Sequence, residues 1–151
     1  MNLKNLIGSG HKIILFTLPF LIIGLILKAL MPAFFRVGGP TKELFIASII
    51  VLIPGAAIWI WCIILIATKV SKNELITNGP YAIVKHPLYT NAAFLVLPWI
   101  GFIFNSWLGG VIGIEVYIGA RLYSQDEEKQ LSEMFGKEWD DYSKKELLPW
   151  L

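Results

Sequence analysis

A short polar segment at residues 78–91, NGPYAIVKHPLYTN, holds the side chains of this chain that are best suited to chemistry. It brings Lys85, His86, Tyr81 and Tyr89 together with glycine and proline residues that favour turns. Strongly apolar runs lie on either side of it. A chain that only had to span lipid would not need ionisable and aromatic groups here, so we interpret the segment as a candidate binding site.

A second set of polar side chains lies at the end of the last apolar run and just after it. Arg121 and Glu128 fall along one face of a helix, because residues at this spacing are separated by nearly two helical turns. If the two apolar runs before them pair as antiparallel helices, this set, which includes Glu127, lies close to His86. Each residue alone has a simpler interpretation. A histidine beside a proline can cap a turn, and adjacent glutamates are most often a solvated helix face.

The composition indicates an integral membrane protein. Hydrophobic residues make up 56% of the chain, charged residues 16%, and the mean hydropathy is +0.63, which lies outside the usual range of soluble chains. A single soluble domain could not bury so much apolar surface. The net charge of +2 does not favour a nucleic-acid partner, and the single cysteine excludes an internal disulfide. His86 and the paired glutamates lack the HExxH spacing of a zinc site, so we expect no metal.

Four apolar runs predict an all-α, multi-pass membrane protein with about four transmembrane helices. The runs are Ile13–Leu30, Leu44–Thr68, Leu88–Phe104 and Trp107–Tyr123. Only Asn105 and Ser106 separate the last two runs, which predicts a tight antiparallel hairpin. Residues 31–42 are rich in glycine and proline and are interpreted as a connecting loop. Pro54 predicts a kink in the second run, and Pro98 interrupts the third.

The chain becomes charged after the predicted hairpin. From Gln125 onward, apolar residues recur at near-helical spacing among charged ones, which predicts a C-terminal amphipathic helical segment. Gly136 is expected to end one helix and start another. We expect one domain over residues 1–151. Residues 1–69 would form two N-terminal transmembrane helices, and residues 70–151 would form the binding loop, the hairpin and the C-terminal segment.

Charge distribution predicts the orientation. Lysines are more frequent in the N-terminus, in residues 69–86 and in the tail than in the opposite loop, which holds Arg36 and Lys42. By the positive-inside rule the polar segments face the cytoplasm, in the cell membrane of a bacterium or archaeon. Glu115 lies in the middle of an apolar run, where a carboxylate is costly and is a functional candidate by default. A pairing with another helix explains it equally well.

Together, the two polar segments resemble the membrane methyltransferase family that includes isoprenylcysteine carboxyl methyltransferase and the phospholipid N-methyltransferases. The family pattern is a GPY-x-x-x-RHP-x-Y loop, a helical hairpin, then EE-x-x-L, FG and an aromatic-rich tail. The matching residues here are Gly79, Pro80, Tyr81, Lys85, His86, Pro87, Tyr89, Glu127, Glu128, Leu131, Phe135, Gly136, Trp139, Tyr142 and Pro149. The resemblance covers roughly residues 70–151, and the first half matches only as generic membrane helices.

The resemblance implies S-adenosylmethionine as cofactor, bound without a Rossmann domain. The cofactor contacts that it implies are Asn73, Glu74, Leu75, Ile76, Tyr81, Lys85, His86, Pro87, Leu88, Tyr89 and Glu127. We assign catalytic roles to Arg121, Glu127 and Glu128. The chemistry fits these residue types, because a sulfonium cation is attracted to tyrosine faces and to a carboxylate. The protein then mainly has to position the nucleophile and exclude water.

Two departures from the family pattern bear on the acceptor. Lysine replaces the arginine of RHP, and Tyr123 stands where the carboxyl methyltransferases carry an arginine four residues before the first glutamate. We expect methyl transfer to a lipophilic acceptor in the membrane, either an isoprenylcysteine-like carboxylate or a phospholipid, amine or thiol. A sterol-reductase-like enzyme and a non-catalytic membrane protein of the same fold are the alternatives. No obligate protein partner is inferred.

Overall fold

The computed structural model describes residues 8–39, 41–69 and 72–145, and this part of the chain is helical, with one isolated β-bridge between Arg36 and Ser106. The helices are α1 (Gly8–Leu30), α2 (Thr41–Lys69), α3 (Pro87–Ile103), α4 (Leu108–Phe135) and α5 (Lys137–Ser143). A short 3₁₀ turn at Gly79–Ala82 lies between α2 and α3. The predicted all-helical class is confirmed, and so is the connecting loop between α1 and α2.

Helices α1 and α2 are long and apolar enough to cross a membrane, over Ser9–Leu30 and Thr41–Lys69. Their outward faces carry large apolar side chains, such as Ile23, Ile50 and Ile53, each more than half exposed. A surface of this kind is suited to lipid and costly in water. α2 continues through Pro54 without a break. α3 is apolar but shorter.

Pro98 shapes the middle of α3. Proline has no N–H, and its ring clashes with the carbonyl one turn earlier, so a regular α-helix cannot continue through it unchanged. The preceding residues Ala92–Val96 form a π-helical turn, in which the N–H of Leu97 donates to the carbonyl of Ala92. The interruption predicted at this proline is therefore a wider helical turn rather than a break.

Glycines bring α3 and α4 into backbone contact. A Cβ at Gly109 would lie 2.2 Å from the carbonyl oxygen of Leu97, and one at Gly113 would lie 2.2 Å from that of Ala93. Between the helices, the N–H of Ser106 donates to the carbonyl of Gly101 at 2.9 Å. This close packing fixes where the start of α3 lies relative to the C-terminal half of α4.

α4 is longer than the predicted fourth run. It is one continuous helix from Leu108 to Phe135, so the amphipathic segment expected from Gln125 is the C-terminal half of α4 and not a separate element. The expected change of helix at Gly136 is confirmed. Gly136 adopts a φ of 51° and follows the last residue of α4, and α5 begins directly after it. A left-handed backbone at this position favours glycine.

Over its whole length, helix α1 packs against α4. Near the start of α1, the Ser9 hydroxyl donates to the carbonyl of Tyr123 at 3.3 Å, and Lys12 forms a 2.5 Å ion pair with Asp126. Near its other end, Gly24 lies against Leu108. Beyond Gly24, a cluster of Phe34, Phe35 and Trp107 closes this end of the bundle. The polar ends of α1, α3 and α4 therefore meet at the opposite end.

Candidate functional site

A cavity of about 640 Å³ lies at that polar end and extends along α1 into the apolar part of the bundle. Its volume is within the range of small-molecule sites. Nine of the residues predicted to contact the cofactor line this one cavity: Glu74, Leu75, Ile76, Tyr81, Lys85, His86, Leu88, Tyr89 and Glu127. The loop before α3 and the C-terminal half of α4, which are far apart in the sequence, thus share one site.

Four of the predicted site residues do not line the cavity. Asn73 is exposed, with a φ of 55°, and Pro87 is buried at the first turn of α3. Arg121 is exposed on α4, because it lies on a different side of the helix from Glu127. Glu128 faces the loop rather than the cavity. A direct catalytic contact is therefore not supported for Arg121 or Glu128 by their positions.

Glu128 holds the polar loop against α4. Its Oε1 lies 3.1 Å from Nε2 of His86, and its Oε2 lies 3.5 Å from Nζ of Lys85. The hydrogen bond with His86 is the main reason that the pKa of Glu128 is lowered, with the charge of Lys85 acting in the same direction. Glu128 therefore orients two side chains that line the cavity.

Glu127 presents a carboxylate to the cavity that the protein leaves partly unsatisfied. Its Oε2 is buried and has no hydrogen-bond partner among the described residues. Burial raises its pKa, and the charge of His86 partly opposes that rise. A buried carboxylate oxygen without a partner is costly, so this position suits a ligand that brings a cation or a hydrogen-bond donor.

Two tyrosines form aromatic walls of the cavity. Burial raises the pKa of Tyr81, so its phenol stays neutral. Its backbone carbonyl accepts a 2.7 Å hydrogen bond from the hydroxyl of Tyr142. The Tyr89 ring lies 6.2 Å from the His86 ring, and Gly10 leaves room for the Tyr89 hydroxyl, because a Cβ there would lie 3.3 Å from it.

Two further walls of the cavity come from α1 and α5, which the site prediction did not include. α5 supplies the buried residues Trp139 and Tyr142, which were matched to the family pattern but given no role in the site. α1 supplies a whole wall, which includes Gly10, Thr17 and Leu21. His11 and Thr17 are the polar residues of α1 that border the cavity.

Other candidate chemistry is not supported at this site. Residues 8–39, 41–69 and 72–145 contain no group of three or more histidine, cysteine, aspartate or glutamate side chains placed to hold a metal ion. Glu115 is half-buried in the middle of α4 and does not line the cavity.

Comparison with known proteins adds no assignment. No protein-family model, curated protein or solved structure matches this chain.

Proposed function

We propose that this protein transfers a methyl group from S-adenosylmethionine to a lipophilic acceptor held in the membrane. The observation that carries the proposal is the position of Glu127, which borders the same cavity as Tyr81, Tyr89 and His86 and whose buried Oε2 has no hydrogen-bond partner among the described residues. A sulfonium cation would satisfy this carboxylate and is attracted to aromatic faces. The resemblance of the loop and the EE-x-x-L element to membrane methyltransferases supports the same cofactor.

The residues of the site have separate roles in this proposal. S-adenosylmethionine supplies a methyl group already activated for transfer. Glu127 attracts the cationic end, and Tyr81 and Tyr89 provide neutral rings. Lys85 offers hydrogen-bond donors to the polar groups of the cofactor, and His86, whose Nε2 contacts Glu128, offers its other ring nitrogen. Glu128 is a positioning residue, since it contacts His86 and Lys85 without bordering the cavity. The apolar remainder of the cavity excludes water.

The acceptor would reach the cavity from the bilayer. Ile14 and Leu18 of α1 and Trp59 and Ile66 of α2 border the cavity, and α1 and α2 are the two candidate membrane spans. An apolar molecule could pass between these helices without crossing water. We propose that α3 and the first half of α4 complete a four-span bundle as a hairpin, with the polar end of the cavity facing the cytoplasm.

The charges at the site favour an acceptor other than a carboxylate. Arg121 does not border the cavity, and in this proposal Lys85 already serves the polar groups of the cofactor. A carboxylate would also meet Glu127 at the polar end and be repelled by it. A phospholipid, amine or thiol acceptor therefore fits the cavity better than an isoprenylcysteine-like carboxylate.

The decisive experiment is a calorimetric titration of the purified protein in detergent with S-adenosylmethionine. Saturable binding is expected. Incubation of membranes with methyl-labelled cofactor, followed by separation of the lipids, should then yield a labelled amine or thiol lipid. No binding at all would favour the non-catalytic alternative. Binding of a nicotinamide dinucleotide in its place would favour the reductase-like alternative.

A further inference from the structure

Two cationic side chains lie at the end of the bundle that is opposite to the polar loop. Lys28 is in the last turn of α1, and Arg36 follows in the loop between α1 and α2. Lys28 is half-buried, and Arg36 is exposed. Neither forms an ion pair with another described residue. Because a partly desolvated cation without a counter-ion is costly, the position of Lys28 suits an anion from outside the chain.

Both cationic residues are held at the turn between α3 and α4. The ammonium of Lys28 lies 5.6 Å from the centre of the Phe104 ring, within the range of a cation–π contact. The backbone of Arg36 forms an antiparallel β-bridge with Ser106, two residues further along this turn. Residues paired in this way have Cα atoms about 5 Å apart. The fold therefore brings two cationic residues to one short turn.

The surface around this turn is apolar and open. Four of its large side chains are more than half exposed, namely Leu30, Met31, Phe34 and Phe104. α1 is a candidate membrane span that ends at Leu30, so this surface lies where acyl chains meet headgroups. Trp107, whose indole donates to the carbonyl of Phe34 at 2.8 Å, is typical of that boundary. An occupant of this surface would therefore combine an anion with apolar chains.

We infer that Lys28 and Arg36 form a binding site for the headgroup of an anionic phospholipid. Ammonium and guanidinium groups both bind phosphate, and basic pockets between membrane helices bind such headgroups. A zwitterionic lipid fits less well, because its own cation would face two positive charges. Glu43, the nearest acidic residue in the sequence, forms an ion pair with neither cation. Neither Lys28 nor Arg36 borders the cavity, so the inference does not depend on methyl transfer.

The test compares two lipids as stabilisers of the full-length protein in a non-ionic detergent. Thermal unfolding is measured with dioleoyl phosphatidylglycerol, with dioleoyl phosphatidylcholine at the same concentration, and with inorganic phosphate. Lys28→Gln and Arg36→Gln each remove one charge from the site, and Lys28→Arg keeps it. Lys137→Gln is the control, because it removes the same charge from an exposed position in α5. Each variant is compared with itself in phosphatidylcholine, so a general loss of stability does not enter the result.

Phosphatidylglycerol should raise the unfolding midpoint of the wild type by about 2–4 °C more than phosphatidylcholine does, because a ligand that binds the folded state stabilises it. Lys28→Gln and Arg36→Gln should each lose most of this rise, whereas Lys28→Arg and Lys137→Gln should keep it. Inorganic phosphate should give no rise, since it brings no acyl chain.

Three results would overturn the inference. The first is the absence of a preference for phosphatidylglycerol in the wild type, and the second is the full rise in either glutamine variant of the site. The third is an equal loss in Lys137→Gln, which would show an effect of net charge alone. A rise with inorganic phosphate as large as the rise with lipid would overturn the lipid as occupant, because a soluble anion would then be sufficient.

Discussion

The imidazole of His86 lies 3.1 Å from the carboxylate of Glu128 and connects the loop before α3 to the C-terminal half of α4. Lys85 reaches the other oxygen of the same carboxylate. Both loop side chains border the candidate cavity, whereas Glu128 does not. One carboxylate outside the cavity thus holds two of its polar residues in place.

This contact predicts a pH-dependent loss of stability in Glu128→Gln. Because the folded-state pKa of Glu128 is lowered from 4.5, its contribution is fully present above that pH and is lost as the pH falls through the folded-state value. We expect the variant to unfold about 1 kcal/mol more easily at neutral pH, and the difference to shrink near pH 3. Thermal unfolding in detergent at the two pH values measures it. Glu133→Gln, an exposed change on the same helix, is the control. An equal difference at both pH values would contradict the prediction.

Glu127→Gln should weaken the binding of S-adenosylmethionine by at least about tenfold, because the variant removes the charge that attracts the sulfonium. Burial raises the pKa of Glu127 above 4.5, so the carboxylate is neutralised at a higher pH than an exposed glutamate. Wild-type affinity should therefore fall on acidification, beginning above pH 4.5, while the affinity of the variant stays flat. Calorimetric titration across the acidic range tests both. A wild-type affinity that does not change with pH would refute the role of Glu127.

The resemblance grouped the loop residues with Glu127, and most of these residues line one cavity. A sequence motif can do this because it identifies side chains within short segments. It could not predict the wall from α1, since helix pairing depends on where glycines allow close approach. The catalytic roles assigned to Arg121 and Glu128 remain predictions, and neither residue borders the cavity. Arg121 lies in the last turn of the fourth apolar run and Glu128 follows that run, but the position of each residue around the helix decides which side chains reach the cavity. The sequence changes from apolar to charged residues near Gln125, but such a change does not show whether a helix ends. The continuity of α4 past this residue could therefore not be predicted.

Tyr142→Phe should loosen α5 from the loop, because it removes the hydroxyl that donates to the carbonyl of Tyr81 at 2.7 Å. We expect a loss of about 1 kcal/mol in stability and a severalfold weaker affinity for S-adenosylmethionine, since Tyr81 borders the cavity. Tyr123→Phe is the matched control, because its ring packs edge-on against Phe16 and is kept. Hydrogen exchange of α5, measured by mass spectrometry, should rise in Tyr142→Phe alone. Equal exchange in the two variants would argue against α5 as a fixed wall of the site.

Gly113→Ala should disrupt the packing of α3 on α4, whereas Gly110→Ala should not. A Cβ at Gly113 would lie 2.2 Å from the carbonyl oxygen of Ala93, a backbone atom that cannot move aside, but nothing lies within 4 Å of one at Gly110. We expect Gly113→Ala to cost about 2 kcal/mol or more. Gly110→Ala should be neutral, or stabilising by up to about 1 kcal/mol, because alanine favours a helix over glycine. The comparison is made by thermal unfolding of the two variants in the same detergent. Since α3 begins at the polar loop, Gly113→Ala should also weaken S-adenosylmethionine binding. An unchanged affinity would show that the cavity does not depend on this contact between α3 and α4.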